Sequence, residues 1–202
     1  MTPGEPFKVL AVCHGNISRS PAAEYLLRAA LDGRFAVASA GVGAHQVAGS
    51  GPDRFTLAML GKRGIDGSRH VSKQLTAGLI GQAELILTMS PNQRSWVTGE
   101  VPGAIGRSFT LLEFARLAVA VRGQGPESVS DMVRRAAASR GVYPVAPGGS
   151  DEIADPHGGA LEDYRAAFEA VDRAVAVAAG ELNGYLRLRT PAPAHPFAGF
   201  VL

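Results

Sequence analysis

Residues 7–13, FKVLAVC, form an unbroken apolar run with β-branched members, bounded by Pro6 and by Gly15-Asn16. Such a run reads as a strand buried on both faces that ends in a turn. The period then changes. In SPAAEYLLRAALDG, residues 20–33, the apolar positions Ala23, Leu26, Leu27, Ala30 and Leu31 fall on one helical face. Ser20 reads as the N-cap, Pro21 as the first helical residue and Gly33 as the stop. A strand, a tight loop and a helix in that order constrain the chain strongly, because a chain that repeats them must build a layered α/β fold around a parallel sheet.

The repetition is present. FAVASAG (35–41) reads as a second strand and DRFTLAMLGKRG (53–64) as a helix closing on Gly64. ELILTMS (84–90) reads as a third buried strand followed by a short helix through Trp96, and RSFTLL (107–112) as a weaker fourth strand running into EFARLAVAVRG. Leu161, Tyr164, Phe168, Val171, Val175 and Ala178 lie at helical spacing within 160–186, which predicts a long amphipathic helix. The segment 123–151 breaks the alternation: it holds one helix, around 127–140, between Gly/Pro-rich loops, and is read as an insertion. The tail from about 190 to 202 is Pro-rich and non-helical, with an apolar end expected to dock. One domain over 1–202 accommodates all of this, and in such folds ligands bind beyond the carboxyl ends of the strands. Cys13 stands at such an end.

A loop between a strand and a helix N-terminus points backbone N–H groups into one concavity, and the helix dipole adds partial positive charge there. That concavity suits an oxyanion. A thiol placed in it is favoured as thiolate by the dipole and by a neighbouring guanidinium, so Cys13 is expected to be a nucleophile. Arg19, six residues on, supplies a planar bidentate clamp for a phosphate-like group and for the charge of an in-line transition state. Ser20 can hydrogen-bond the thiolate as well as cap the helix. Cys13 is the sole cysteine, which excludes an intrachain disulfide and a multi-cysteine metal site and suits a reducing, cytoplasmic compartment. The 20 basic and 18 acidic residues form no basic block, which argues against nucleic acid as a partner. The apolar run at the N-terminus is too short for a membrane span or a signal-peptide core.

The stretch VCHGNISRSP (12–21) resembles the signature loop of the low-molecular-weight protein tyrosine phosphatases, V-C-x-G-N-I-C-R-S-P. ASAG (38–41), GID (64–66), SRHVSKQLT (68–76), ELILTMSPNQ (84–93) and ADPHG (154–158) resemble further segments of that family, the last at the place of its D-P-Y loop. The resemblance covers roughly 7–114 and 152–188. It implies a doubly wound, four-stranded parallel sheet with the insertion placed before the general-acid loop. It also implies metal-free, cofactor-free hydrolysis of phosphomonoesters, above all phosphotyrosine in proteins, through a cysteinyl-phosphate. Cys13 would attack phosphorus and Arg19 would hold the phosphoryl oxygens. Asp155 would protonate the leaving oxygen and then deprotonate the hydrolytic water. His14, Gly15, Asn16, Ile17, Ser18 and Ser20 would form the substrate cradle, with His45 and His157 on its rim. Ser39 and His70 would support the loop.

The departures from the pattern are also informative. Ser18 stands where most members carry a second cysteine that shelters the first from oxidation. His157 and His45 replace the family's wall aromatics, and Ser90 replaces an aspartate. Ile17 is kept, and in this family an apolar residue there accompanies phosphotyrosine preference, whereas Thr accompanies phosphoarginine preference. Two other readings share the loop. One is an arsenate reductase of the same fold finishing with a small cellular thiol; the other is a non-catalytic phosphate-binding regulator. The expected partner is a phosphorylated protein or small phosphoester, without nucleic acid or membrane, and a homo-oligomer is compatible with everything above.

Overall fold

The computed structural model describes residues 5–125 and 128–187. Four parallel strands, β1 (Phe7–Cys13), β2 (Phe35–Gly41), β3 (Leu85–Thr88) and β4 (Ser108–Thr110), lie in the order β2-β1-β3-β4. The register runs from Phe7 opposite Phe35 to Cys13 opposite Gly41, and Val9 to Val12 pair with Leu85 to Thr88 on the other side. β1 therefore has its sequence neighbours on opposite flanks, and the crevice at a topological switch point opens at its carboxyl end, where Cys13 sits.

Helices cover both faces of the sheet. They are α1 (Arg19–Ala30), α2 (Arg54–Lys62), α3 (Ala77–Gln82), α4 (Pro91–Glu100), α5 (Leu111–Val121), α6 (Val129–Ala138) and α7 (Leu161–Arg187). The pleat of β1 divides its residues between two cores. Val9, Ala11 and Cys13 point into the larger one with Leu27, Leu60, Phe114 and Val171, while Leu10 and Val12 point into the smaller one with Ile80, Val97 and Ala104. This is why the run 7–13 carries no alternation: both of its faces are buried, at about 1.5–3 kcal/mol for each large apolar side chain taken from water. No helix among the described residues is long and apolar enough to cross a membrane.

Two expectations are changed by the structure. Ser20 is not the N-cap of α1; Ser18 occupies that position, and Pro21 becomes the third helical residue, where its missing N–H is still one of the helix's orphans. The fourth strand is only three residues long, because Thr110 and Glu113 form a reciprocal capping box that starts α5 at Leu111. Within the segment set apart as an insertion, α6 sends Val129, Met132, Val133 and Ala136 into the larger core, so it packs as part of the fold. The short helix α3 had no counterpart in the sequence reading; Thr76 caps it, and Ile80 is its one buried side chain. The apolar end of the tail lies outside the described residues.

Candidate active site

Cys13 ends β1 and is almost fully buried, with its Sγ accepting the backbone N–H of Asn16 at 3.3 Å and the hydroxyl of Ser20 at 3.0 Å. The direction of the second bond is set upstream. Asn16 Nδ2 donates to Ser20 Oγ at 2.9 Å and to Ser39 Oγ at 2.7 Å, so the lone pair of Ser20 is engaged and its proton is turned toward sulfur. Ser39 passes its own proton direction on to the carboxylate of Glu24, which also holds Arg28 at 2.7 Å. Both donors aim a hydrogen at the sulfur that would attack phosphorus.

Asn16 is the only non-glycine residue with positive φ among the described residues, at 55°. Asparagine tolerates that left-handed region better than most, and the surrounding bonds hold it there. Its Oδ1 accepts the N–H of Lys73 at 3.0 Å, and its carbonyl lies 2.8 Å from His70 Nε2, which must therefore carry the proton. His70 Nδ1 stands 3.7 Å from Glu24, closing the ring of supports. From sequence alone an acid such as Glu24, in the second turn of a helix, reads as solvated; its position among Ala23, Leu26 and Leu27 is the one signal of burial.

The helix that follows is left open at its N-terminus. Ser18 makes no side-chain cap; its hydroxyl instead accepts from Thr56 Oγ1 at 3.1 Å, and the first turn of α1 holds no acid. Uncapped amides and the positive end of the dipole are thereby available to an anion. Arg19, the first helical residue, is 4% exposed. Its Nη1 donates to the carbonyl of Ile153 at 3.0 Å, its Nη2 pairs with Asp155, and its Nε is buried without a hydrogen-bond partner.

A cleft opens over these groups. Cys13, His14, Gly15, Ile17, Ser18 and Arg19 line it, facing Gly43, Gln46 and Val47 from the segment after β2 and Asp155 and His157 from the loop before α7. Two glycines let the walls approach. A Cβ at Gly41 would lie 2.3 Å from the carbonyl oxygen of His14, and one at Gly43 would lie 2.6 Å from the His14 ring. His45 does not line the cleft. Its ring nitrogen and its backbone N–H turn to Gln74 Oε1, at 3.3 and 2.9 Å, and Gln46 and Val47 take the rim position assigned to it from sequence. Asn16 and Ser20 stand behind the cleft against the sulfur, and Ser39 and His70 stand behind Asn16.

The arrangement can seat a tetrahedral oxyanion between the loop amides and a guanidinium and present sulfur to its central atom, with a carboxylate on the far side. A sequence model of the low molecular weight phosphotyrosine protein phosphatases matches residues 8–122. This chain belongs to that family. It is 42% identical over 105 residues to the probable low molecular weight protein-tyrosine-phosphatase EpsP of Ralstonia solanacearum, an overlap of 52% of this chain and 70% of that one. It is 29% identical over 167 residues to a protein-arginine-phosphatase of Geobacillus stearothermophilus, covering 83% of this chain and 90% of the relative. Among solved structures, the YwlE arginine phosphatase of the same organism superposes with a TM-score of 0.70 at 27% identity, covering 93% of this chain and all of that one. Vibrio vulnificus Wzb in complex with benzylphosphonate superposes with a TM-score of 0.65 at 25% identity over 87% of this chain and 99% of that one. The doubly wound, four-stranded parallel sheet expected for this phosphatase family is thus the fold of this chain.

Proposed function

We propose that this phosphatase hydrolyses phosphotyrosine in proteins through a cysteinyl-phosphate, with Cys13, Arg19 and Asp155 as its catalytic residues. The observation that carries the reading is the buried, unpartnered Nε of Arg19 beside a thiol whose neighbours are N–H and O–H donors. A buried donor without an acceptor is costly, and a phosphoryl oxygen in the loop would satisfy it.

In the first step Sγ of Cys13 forms a bond to phosphorus as the bond to the leaving oxygen breaks, and Asp155 delivers its proton to that oxygen. In the second, water attacks phosphorus, Asp155 takes a proton from it, and the phosphorus–sulfur bond breaks to restore the thiolate and release phosphate. Loop amides and Arg19 hold the equatorial oxygens throughout. The sole cysteine has to stay reduced for this chemistry, which favours a cytoplasmic setting.

Phosphoarginine is the second reading, favoured by the arginine-phosphatase relative that spans most of the chain. Ile17 on the cleft wall supports tyrosine, because its aliphatic side chain offers an aromatic ring an apolar surface. Purified protein given matched phosphotyrosine and phosphoarginine peptides, and separately arsenate with a small thiol, decides among the reactions. Turnover of the phosphotyrosine peptide together with a phosphate label trapped on Cys13 is the expected result. Arsenate reduction without phosphoester turnover, or oxyanion binding with no turnover at all, would overturn it.

A further inference from the structure

The N-terminus of α2 is pinned to the segment that joins the cysteine loop to α1. Asp53, its cap, donates its backbone N–H to the carbonyl of Ile17 at 2.7 Å, and Thr56 Oγ1, in the first turn, lies 3.1 Å from Ser18 Oγ. Two hydroxyls can bond in either direction, so their surroundings decide which one donates. Thr56 is 1% exposed, and among the described residues the Ser18 oxygen is the one acceptor that its hydroxyl meets. The void beside the pair, walled in part by Ala22, Phe168 and Val171, is too small to admit a water molecule. A buried hydroxyl whose proton met no acceptor would carry the cost of its lost hydration, so Thr56 donates and Ser18 accepts. Ser18 is placed differently. It is half-buried and lines the cleft with Cys13 and Arg19, and its own proton finds no acceptor among the described residues. A serine at a helix N-cap ordinarily accepts from an amide of the first turn, and Ser18 makes no such bond.

We propose that Thr56 is a positioning residue for the phosphoryl group: by donating to Ser18 Oγ it turns the Ser18 proton into the cleft, where that proton bonds one phosphoryl oxygen. The inference rests on the loop being a phosphoryl cradle, and not on which ester is cleaved or on the acid role of Asp155. The chain from Thr56 through Ser18 to the oxyanion matches the chain from Asn16 through Ser20 to the sulfur. In each, a buried donor occupies a serine lone pair and thereby decides where the serine proton goes. Such a chain also polarises its last link, and a hydroxyl already turned toward the anion does not have to reorient when the anion arrives. Ser18 stands where most relatives carry a second cysteine, whose thiol is only a weak donor. The hydroxyl pair therefore gives this cradle a stronger donor at that point. Thr56 does not line the cleft and acts only through Ser18.

The test uses Thr56→Val, which removes the hydroxyl and keeps the branched shape, and Ser18→Ala, which removes the donor itself. The probe is inorganic phosphate, with its affinity read by calorimetric titration, so that no turnover is needed. Loss of a hydrogen bond to a charged group is expected to weaken phosphate binding about 10–100-fold in Ser18→Ala. Thr56→Val, which leaves the Ser18 hydroxyl free to rotate, is expected to weaken it about 3–10-fold, and Thr56→Ser, which restores the donor, to return it to near wild type. Made in a Ser18→Ala background, Thr56→Val should cost no further affinity, because its effect runs through the Ser18 hydroxyl. Wild-type phosphate affinity in Thr56→Val, a loss that persists undiminished in the Ser18→Ala background, or a Thr56→Ser protein as weak as Thr56→Val would overturn the proposal. Should Thr56→Val fail to fold by its unfolding midpoint, Ser18→Ala still decides, since unchanged phosphate affinity there sinks the inference by itself. A wild-type protein that binds phosphate and turns over no phosphoester would overturn the proposed function and leave Thr56 in its place.

Discussion

Arg19 donates from Nη1 to the carbonyl oxygen of Ile153 at 3.0 Å, across 134 positions of sequence. The guanidinium that opens α1 therefore also fixes the backbone two residues before Asp155. Loop and acid are registered to each other by one side chain, and a substitution at either end is felt at both. Arg19→Lys would keep the charge but lose the fork that serves Ile153, Asp155 and an oxyanion together.

Cys13→Ser is expected to abolish turnover of an aryl phosphate while leaving affinity for inorganic phosphate largely intact. Arg19 is held by Ile153 and Asp155, and a serine hydroxyl can still accept from the one loop amide, that of Asn16, that donates to the sulfur. Calorimetric titration with phosphate alongside a steady-state assay checks this, and near-wild-type hydrolysis by the serine variant would rule out the covalent route.

Asp155→Asn removes a proton donor, a change that typically costs about 10²–10⁴-fold. The penalty should shrink as the leaving group improves, because a stabilised phenoxide departs without protonation. A series of aryl phosphates of graded leaving-group acidity gives the dependence directly; a flat profile that matches wild type in slope would remove Asp155 from the role.

Gly43→Ala places a methyl group against the His14 ring and Gly41→Ala places one against the His14 carbonyl. The ring can swing aside and the backbone cannot. Gly43→Ala is therefore expected to raise KM with a modest loss of stability, and Gly41→Ala to cost about 1–3 kcal/mol or more and to cripple the loop. Thermal unfolding with parallel kinetics separates the two, and similar behaviour of both variants would contradict the geometry.

His157 lines the cleft and His45 does not. His157→Tyr is expected to lower KM for small aryl phosphates by supplying a better stacking wall, with a gain on the order of 0.5–1.5 kcal/mol. His45→Ala should leave KM alone. A KM change at His45 without one at His157 would mean that the rim is arranged otherwise.

Burial, followed by the Asp53 carboxylate, pushes the Tyr164 phenol above its ordinary value, and burial with Glu24 does the same for Tyr25. Below the ordinary tyrosine range both folded and unfolded chains keep these protons, so the contribution is fully present there. As pH rises past about 10 the unfolded chain ionises first and stability falls. Tyr164→Phe should flatten part of that alkaline decline in unfolding midpoint; an identical decline in the variant would show that Tyr164 is not its source.

The strand–loop–helix alternation and the oxyanion loop at residues 13–19 are legible in the sequence because they rest on local rules, namely period, turn chemistry and the adjacency of thiol, glycine and arginine, whereas Asp155 stands out only through the resemblance of ADPHG to the family's D-P-Y loop. Contacts between distant segments decided the rest. Ser20 reads from its neighbours as both a cap and a donor to the thiol; the structure keeps only the second, because the helix starts at Arg19 and Asn16 Nδ2 donates to the Ser20 hydroxyl, which in turn donates to Cys13. His45 looks like a rim residue by position, yet Gln74, 29 residues away, turns it aside and leaves Gln46 and Val47 on the cleft. Glu24 looks like a helix-surface residue, and only packing brings it to Ser39 and Arg28. A side chain's partner across the fold is set by the crossing of elements, and hydrophobic periodicity carries no record of it.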